Sequence, residues 1–192
     1  MKNTMNSPAT TYAITLYFDE ATTTQIRTLT ADLATVTAND YMVANSVPPH
    51  LTLGMFHAED SELEKLEELF EEFVSSVKCE TGCDFPIASD GPDNFLDKVL
   101  FLKPSDACRD TLCHLNELLH KLFLPHFEPA DNRNYLPGNW VPHVALAVKL
   151  SHEAFEKGME FLKHAQVITP GQCIQIGLAR CNPYTQIIDI TL

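Results

Sequence analysis

Positive charge is scarce in this chain. Thirteen Lys and Arg stand against 26 Asp and Glu in 192 residues, for a formal net charge of -13 and a pI near 4.9. Affinity for long nucleic acid comes from clustered cations on phosphates. The composition therefore argues against gripping long nucleic acid, while leaving room for a small phosphorylated substrate in one local pocket. No apolar run approaches the roughly 18 residues of a membrane span, so no membrane partner is expected. The N-terminus, MKNTMNSPATTY, lacks the apolar core of a secretory leader. The six cysteines, at 79, 83, 108, 113, 173 and 181, match no zinc or redox spacing, and CETGC is too wide for a CxxC. The expectation is a cytoplasmic protein with reduced thiols, a monomer that needs no cofactor. Low-complexity tracts are also missing, and at 45% hydrophobic residues the chain can bury a sizeable core.

What is present is a regular alternation of strand and helix signals. YAITLYFD, from Tyr12 to Asp19, has the composition of a buried strand. Ile26, Leu29, Leu33 and Val36 fall on one face of a helix. PHLTLGMF reads as a second strand. SELEKLEELFEEFVSSV follows, with a Ser61–Glu64 capping box, an apolar stripe of Leu63, Leu66, Phe70, Phe73 and Val77, and glutamates on the solvated face. From Lys78 to Asn94 the turn signals, Asp90-Gly91-Pro92 among them, predict short strands and an exposed loop. KVLFLKP is a strand, and Leu112, Leu115, Leu119 and Leu122 mark the helix after it. A Pro- and Gly-containing loop leads to the strand PHVALAVKL and the helix SHEAFEKGMEFLKHA. Two strands, around CIQIGLAR and TQIIDITL, close the chain with Asn182-Pro183 between them.

Both halves thus run strand, helix, Pro-His strand, helix. The order repeats, which points to a duplicated α+β unit with the two Pro-His strands in equivalent places. Composition predicts fewer than one Pro-His pair by chance, and there are three. The third, Pro125-His126, lacks the strand alternation. In PHLTL, His50 and Thr52 share one face while Leu51 and Leu53 share the other. In PHVAL, His143 and Ala145 share a face and Val144 and Leu146 pack. Two histidines across a cleft suit in-line attack on a phosphodiester, one as neutral base and one as cationic acid near neutral pH. The Thr52 hydroxyl can donate to a non-bridging phosphate oxygen. No metal is required. His57, His114, His120, His126, His152 and His164 lack the paired context and read as structural or surface residues. Tyr135 and Trp140 can stack on a base or simply anchor their loop. Arg180 and Lys149 are further candidates to meet phosphate.

HLTL and HVAL, about half a chain apart, resemble the paired H-x-(T/S)-x motifs of the 2H phosphoesterase superfamily, which includes 2′-5′ RNA ligase-like proteins and cyclic phosphodiesterases. The NW-x-PH context of the second motif is similar as well. The resemblance spans most of the chain. It implies a single domain over residues 1–192 made of two pseudo-symmetric lobes: an α+β, bilobal, duplicated fold with two antiparallel-rich sheets facing a central cleft and helices outside. It implies His50 and His143 as the acid–base pair and Thr52 as a phosphate contact, acting on a small nucleotide or short RNA with a 2′,3′-cyclic or 2′-5′-linked phosphodiester. Ala145 departs from the motif, since it has no hydroxyl to donate. Two other readings stand beside this one: a binding module that holds nucleotide without turnover, and a 2′-5′ ligase or processing protein acting on RNA.

Overall fold

The first strand, β1 (Thr10–Phe18), buries Tyr12, Ile14, Leu16 and Phe18 and occupies the middle of a sheet. The computed structural model of the chain describes residues 10–82, 84–165 and 169–192. Residues 1–9, which carry most of the stretch read for a leader, and Cys83 lie outside them.

On either side of β1 stand β2 (Leu51–Ala58) and β8 (Gly171–Arg180). β3 (Phe85–Ile87) and β9 (Thr185–Thr191) pair with β8, and β6 (Glu128–Pro129) pairs with β2, making six strands. A second sheet has the order β4-β5-β7, from β4 (Ser89–Phe95), β5 (Val99–Pro104) and β7 (Val144–Ala147). Every pairing among the described residues is antiparallel. Asp90-Gly91-Pro92 lies inside β4, where turn chemistry had suggested a loop. β4 is an edge strand with a register shift between Ser89 and Gly91, and an edge tolerates a proline that has no N–H to give.

α1 (Glu20–Thr37) starts on Asp19, whose carboxylate accepts from the Thr22 N–H at 2.8 Å. Ile26, Leu29 and Leu33 face inward as expected, but Val36 is exposed and Thr37 takes the buried place. Thr37 can do so because its hydroxyl donates to the Leu33 carbonyl at 2.7 Å. α2 (Tyr41–Ala44) is a single turn. α3 (Leu63–Thr81) carries the expected stripe, yet its capping box is Glu59 with Glu62, on a 3-10 turn at Asp60–Glu62. Ser61 falls inside that turn and Glu64 in the first turn of α3, so the Ser61–Glu64 pattern does not cap. α4 (Asp106–Phe123) and α5 (His152–Leu162) complete the helices.

Two of the helices are exchanged between the sheets. α1 follows β1 of the large sheet but packs on α5 and on β7 of the small one. α4 follows β5 of the small sheet but packs on α3 and on β2 of the large one. At Gly158 in α5 an added Cβ would lie 2.5 Å from Leu100 Cδ1 and 3.1 Å from Thr37 Cγ2, so glycine is what lets α5 close on β5 and α1. Buried side chains from both sheets join in one core.

Candidate active site

The two Pro-His phrases enter β2 and β7, one in each sheet. Leu51 and Leu53 are fully buried, as are Val144 and Leu146 nearly so, which fixes the opposite faces of both strands. Thr52 stands opposite Thr15 on β1, and Ala145 stands opposite Phe101 on β5.

Each histidine is held the same way. His50 Nδ1 lies 2.7 Å from the Pro48 carbonyl, and His143 Nδ1 lies 2.8 Å from the Val141 carbonyl. A carbonyl only accepts, so Nδ1 must carry the proton in both rings. Nε2 is then the lone-pair nitrogen of the neutral ring and the second N–H of the cation. The intervening proline fixes its own φ and so holds the carbonyl two residues back within reach of the ring. This is a local reason for writing Pro-His twice.

The surroundings of the two rings differ. His50 lies 6.5 Å from the Tyr17 ring. His143 is walled by Phe95 at 4.9 Å, Phe101 at 5.4 Å and Tyr135 at 6.3 Å between centroids. Burial pushes the His50 pKa below its ordinary value, partly opposed by the Pro48 carbonyl, and the neighbouring His143 lowers it further. Burial also lowers His143, but the Val141 carbonyl and the Asp131 carboxylate oppose the shift. Both rings are therefore neutral at pH 7 in the free protein. The simple expectation of a standing base–acid pair near neutrality is modified, because burial outweighs the carbonyls.

Sequence patterning missed two contributors, Asp131 and Asn116, and named a third, Tyr135, only as a stacking or loop-anchoring residue. Tyr135 places its hydroxyl near Thr52 and its ring beside His143, bridging the two motifs. Burial and the nearby Asp131 raise its phenol far above the usual range, so it is a hydrogen-bonding group and not an acid. Asp131, on an irregular turn with positive φ at Asp131, Asn132 and Arg133, is a carboxylate whose charge acts on all three of His143, Tyr135 and Cys181. Burial and Asp131 push the Cys181 thiol up to about 11, which keeps it unreactive. Asn116 is the other missed contributor. It is buried in the leucine stripe of α4, and its Nδ2 donates to the Leu53 carbonyl at 2.7 Å and to the Tyr135 carbonyl at 2.9 Å. It thus ties β2 to the loop before the second motif. Replacing Asn116 with alanine strands two carbonyls at about 1–3 kcal/mol for each buried one. The expected loss in a urea unfolding experiment is about 2–4 kcal/mol.

Trp140 borders the same hollow as His143 but is chiefly a core residue, with a buried Nε1 that has no partner among the described residues. The other sequence candidates are engaged elsewhere. Arg180 donates to Tyr12 and Asp60, each at 3.2 Å, and Lys149 sits 3.9 Å above the Tyr41 ring. His120 is buried 5.3 Å from Phe56, and His114 pairs with Glu80. Among the described residues no group of three or more His, Cys, Asp and Glu is placed to hold a metal ion, and no helix is long and apolar enough to cross a membrane.

Two cavities border this region. One, of about 340 Å³, is lined by His143, Phe95, Tyr135, Asn134 and Asn139 among others. The second, of about 380 Å³, is lined by Ala145, by Pro48 and Pro49 just before His50, and by residues of α1 and α2.

Comparison with known proteins agrees with this architecture. The family model described as the 2′-5′ RNA ligase superfamily matches residues 15–173. E. coli LigT solved with phosphate shares the fold with a TM-score of 0.54 at 14% identity, covering 97% of this chain and 99% of that one. E. coli LigT with 3′-AMP gives 0.55 at 12% identity, with the same coverage. Usb1 of Kluyveromyces marxianus gives 0.53 at 14% identity, covering 95% of this chain and 98% of that one. No curated protein matches the sequence.

Proposed function

Because the chain belongs to the 2′-5′ RNA ligase superfamily of 2H phosphoesterases, we propose that it hydrolyses a phosphodiester in a small 2′,3′-cyclic or 2′-5′-linked nucleotide, with no metal. The observation that carries this reading is the twin arrangement of His50 and His143, each with Nδ1 tied to a carbonyl and Nε2 left to exchange protons. In this reading residues 1–192 form one domain of two pseudo-symmetric lobes, each of which supplies one motif. The ligands in the E. coli LigT structures, phosphate and 3′-AMP, fit a substrate of this class.

The unequal surroundings support a division of roles. Asp131 favours the charged form of His143, whereas nothing comparable favours it at His50. His50 Nε2 takes the proton of the attacking water, whose oxygen bonds to phosphorus. The P–O bond on the far side breaks, and His143 Nε2–H returns a proton to the departing oxygen. The products are a phosphomonoester and a free hydroxyl. Thr52 donates to a non-bridging oxygen, and the Tyr135 hydroxyl holds the threonine in place.

The working state carries one proton on the pair. Since both histidines are held below their ordinary pKa, kcat/KM should follow a bell with its maximum below about pH 6.5 and fall as pH rises. A bound phosphate anion favours protonation, so kcat should peak at higher pH than kcat/KM. A steady-state pH series in EDTA checks both. A rate abolished by EDTA and restored by zinc, or a kcat/KM still rising above pH 7.5, would sink the two-histidine mechanism.

Ala145 favours a second reading, a module that binds nucleotide without turning it over. It predicts saturable binding of 3′-AMP with no product from any diester.

A further inference from the structure

β7 presents the second motif between two separate cavities. His143 lines the one of about 340 Å³ and Ala145 lines the one of about 380 Å³, and the two share no lining residue. Both volumes lie in the range of roughly 300–1,000 Å³ seen for sites that take small ligands. His143 and Ala145 are two residues apart and share one face of the strand, so the two cavities flank the motif. The cavity at Ala145 also touches Pro48 and Pro49, whose segment positions His50. It therefore borders both motifs.

Its walls have a definite chemistry. Met42, Val43, Val47 and the prolines are apolar, Thr30 adds a hydroxyl, and Arg27 of α1 adds a guanidinium. Among the described residues neither Arg27 nor Arg133 has a carboxylate within ion-pair distance, whereas Arg109 and Arg180 each have one. The Arg27 guanidinium is therefore open to a ligand beside an apolar hollow. A guanidinium stacks on the face of a base and donates to its ring-nitrogen or carbonyl acceptors. Alanine at 145 keeps this hollow wide, since a longer side chain there would project into it.

Resting on the phosphoesterase reading above, we propose that the cavity of Arg27, Thr30 and Ala145 is a subsite for a second nucleoside, and that the preferred substrate is a linear diester with a nucleoside on each side of the phosphate. A 2′,3′-cyclic mononucleotide has one nucleoside and leaves one of the two cavities empty. The loss of the motif hydroxyl is, on this view, linked to substrate size.

The test compares adenylyl-2′,5′-adenosine with 2′,3′-cyclic AMP for wild type, Arg27→Gln and Thr30→Trp. Arg27 is exposed, so the glutamine variant keeps the fold. The ratio of kcat/KM for the linear over the cyclic substrate should favour the linear one by about tenfold or more in wild type and fall about tenfold in each variant. An unchanged ratio in Arg27→Gln overturns the proposal. A binding arm does not depend on turnover. In His50→Ala, the dinucleotide should bind at least about tenfold tighter than 3′-AMP in titration calorimetry, and Arg27→Gln should abolish the difference. Equal affinities overturn the subsite. Turnover that survives His50→Ala would instead sink the acid–base reading, while the affinity difference still reports on the cavity.

Discussion

Replacing His50 with alanine is expected to lower turnover of a nucleoside diester by roughly 10²–10⁴, the worth of one well-placed acid–base group. His143→Ala should cost a similar amount on the same substrate. The two losses should not multiply in the double variant, because a pair that moves protons in one step fails as a unit. A p-nitrophenyl phosphodiester separates the roles. Its leaving group departs without a proton, so His143→Ala should retain most of its activity on that ester while His50→Ala does not. The reverse pattern would exchange base and acid. Wild-type rates in both variants would remove the histidines from the chemistry altogether. Neither change should unfold the protein, since both side chains are only partly buried and stand at strand entrances.

Ala145→Thr carries the second large effect. One pre-organised donor to a developing oxyanion is worth roughly 10²–10³ in rate. If the second lobe lacks that donor, restoring it should raise kcat by a comparable factor on a 2′,3′-cyclic mononucleotide, which does not need the cavity that the longer side chain narrows, with little change in stability. The site can accept the change, because Ala145 is only half-buried, borders a cavity and lies in a strand where threonine is at home. Single-turnover kinetics would show the gain in the chemical step. Activity that appears only in Ala145→Thr would mark the natural chain as a nucleotide-binding protein. A rate that falls would mean that some other donor already serves this side and is displaced by the new methyl group.

The sequence made the framework of this site legible because its signals are local. Strand alternation predicted that Leu51, Leu53, Val144 and Leu146 pack while His50, Thr52, His143 and Ala145 share the other faces, and the burial of the four apolar residues agrees. The order of strands and helices was readable for the same reason. What escaped depends on contacts between distant segments. Asn116 sits in a helix whose leucine period says only that the position is near the core. Its two acceptors, Leu53 and Tyr135, come from other elements. Asp131 and Tyr135 belong to a loop with no periodicity, so nothing in the spacing places a carboxylate beside His143. The capping box moved from Ser61 to Glu59 because a 3-10 turn precedes the helix, and two adjacent acidic patterns compete for the same start. The lowered pKa of both histidines is a burial effect, which residue identity does not encode.

The exchanged helices bear on how the protein is made. α1 makes its largest contacts with α5 and with β7, and α4 with α3 and with β2. Each sheet is covered in part by a helix that follows a strand of the other sheet. As the polypeptide leaves the ribosome, the first half must wait, with an apolar face of α1 unpaired, until the last helix has been synthesised. Contacts of such long sequence separation slow folding and leave the nascent chain exposed to aggregation. They also join the two halves in one cooperative step. A truncated chain should gain neither motif in working form, so the two histidines arrive together or not at all.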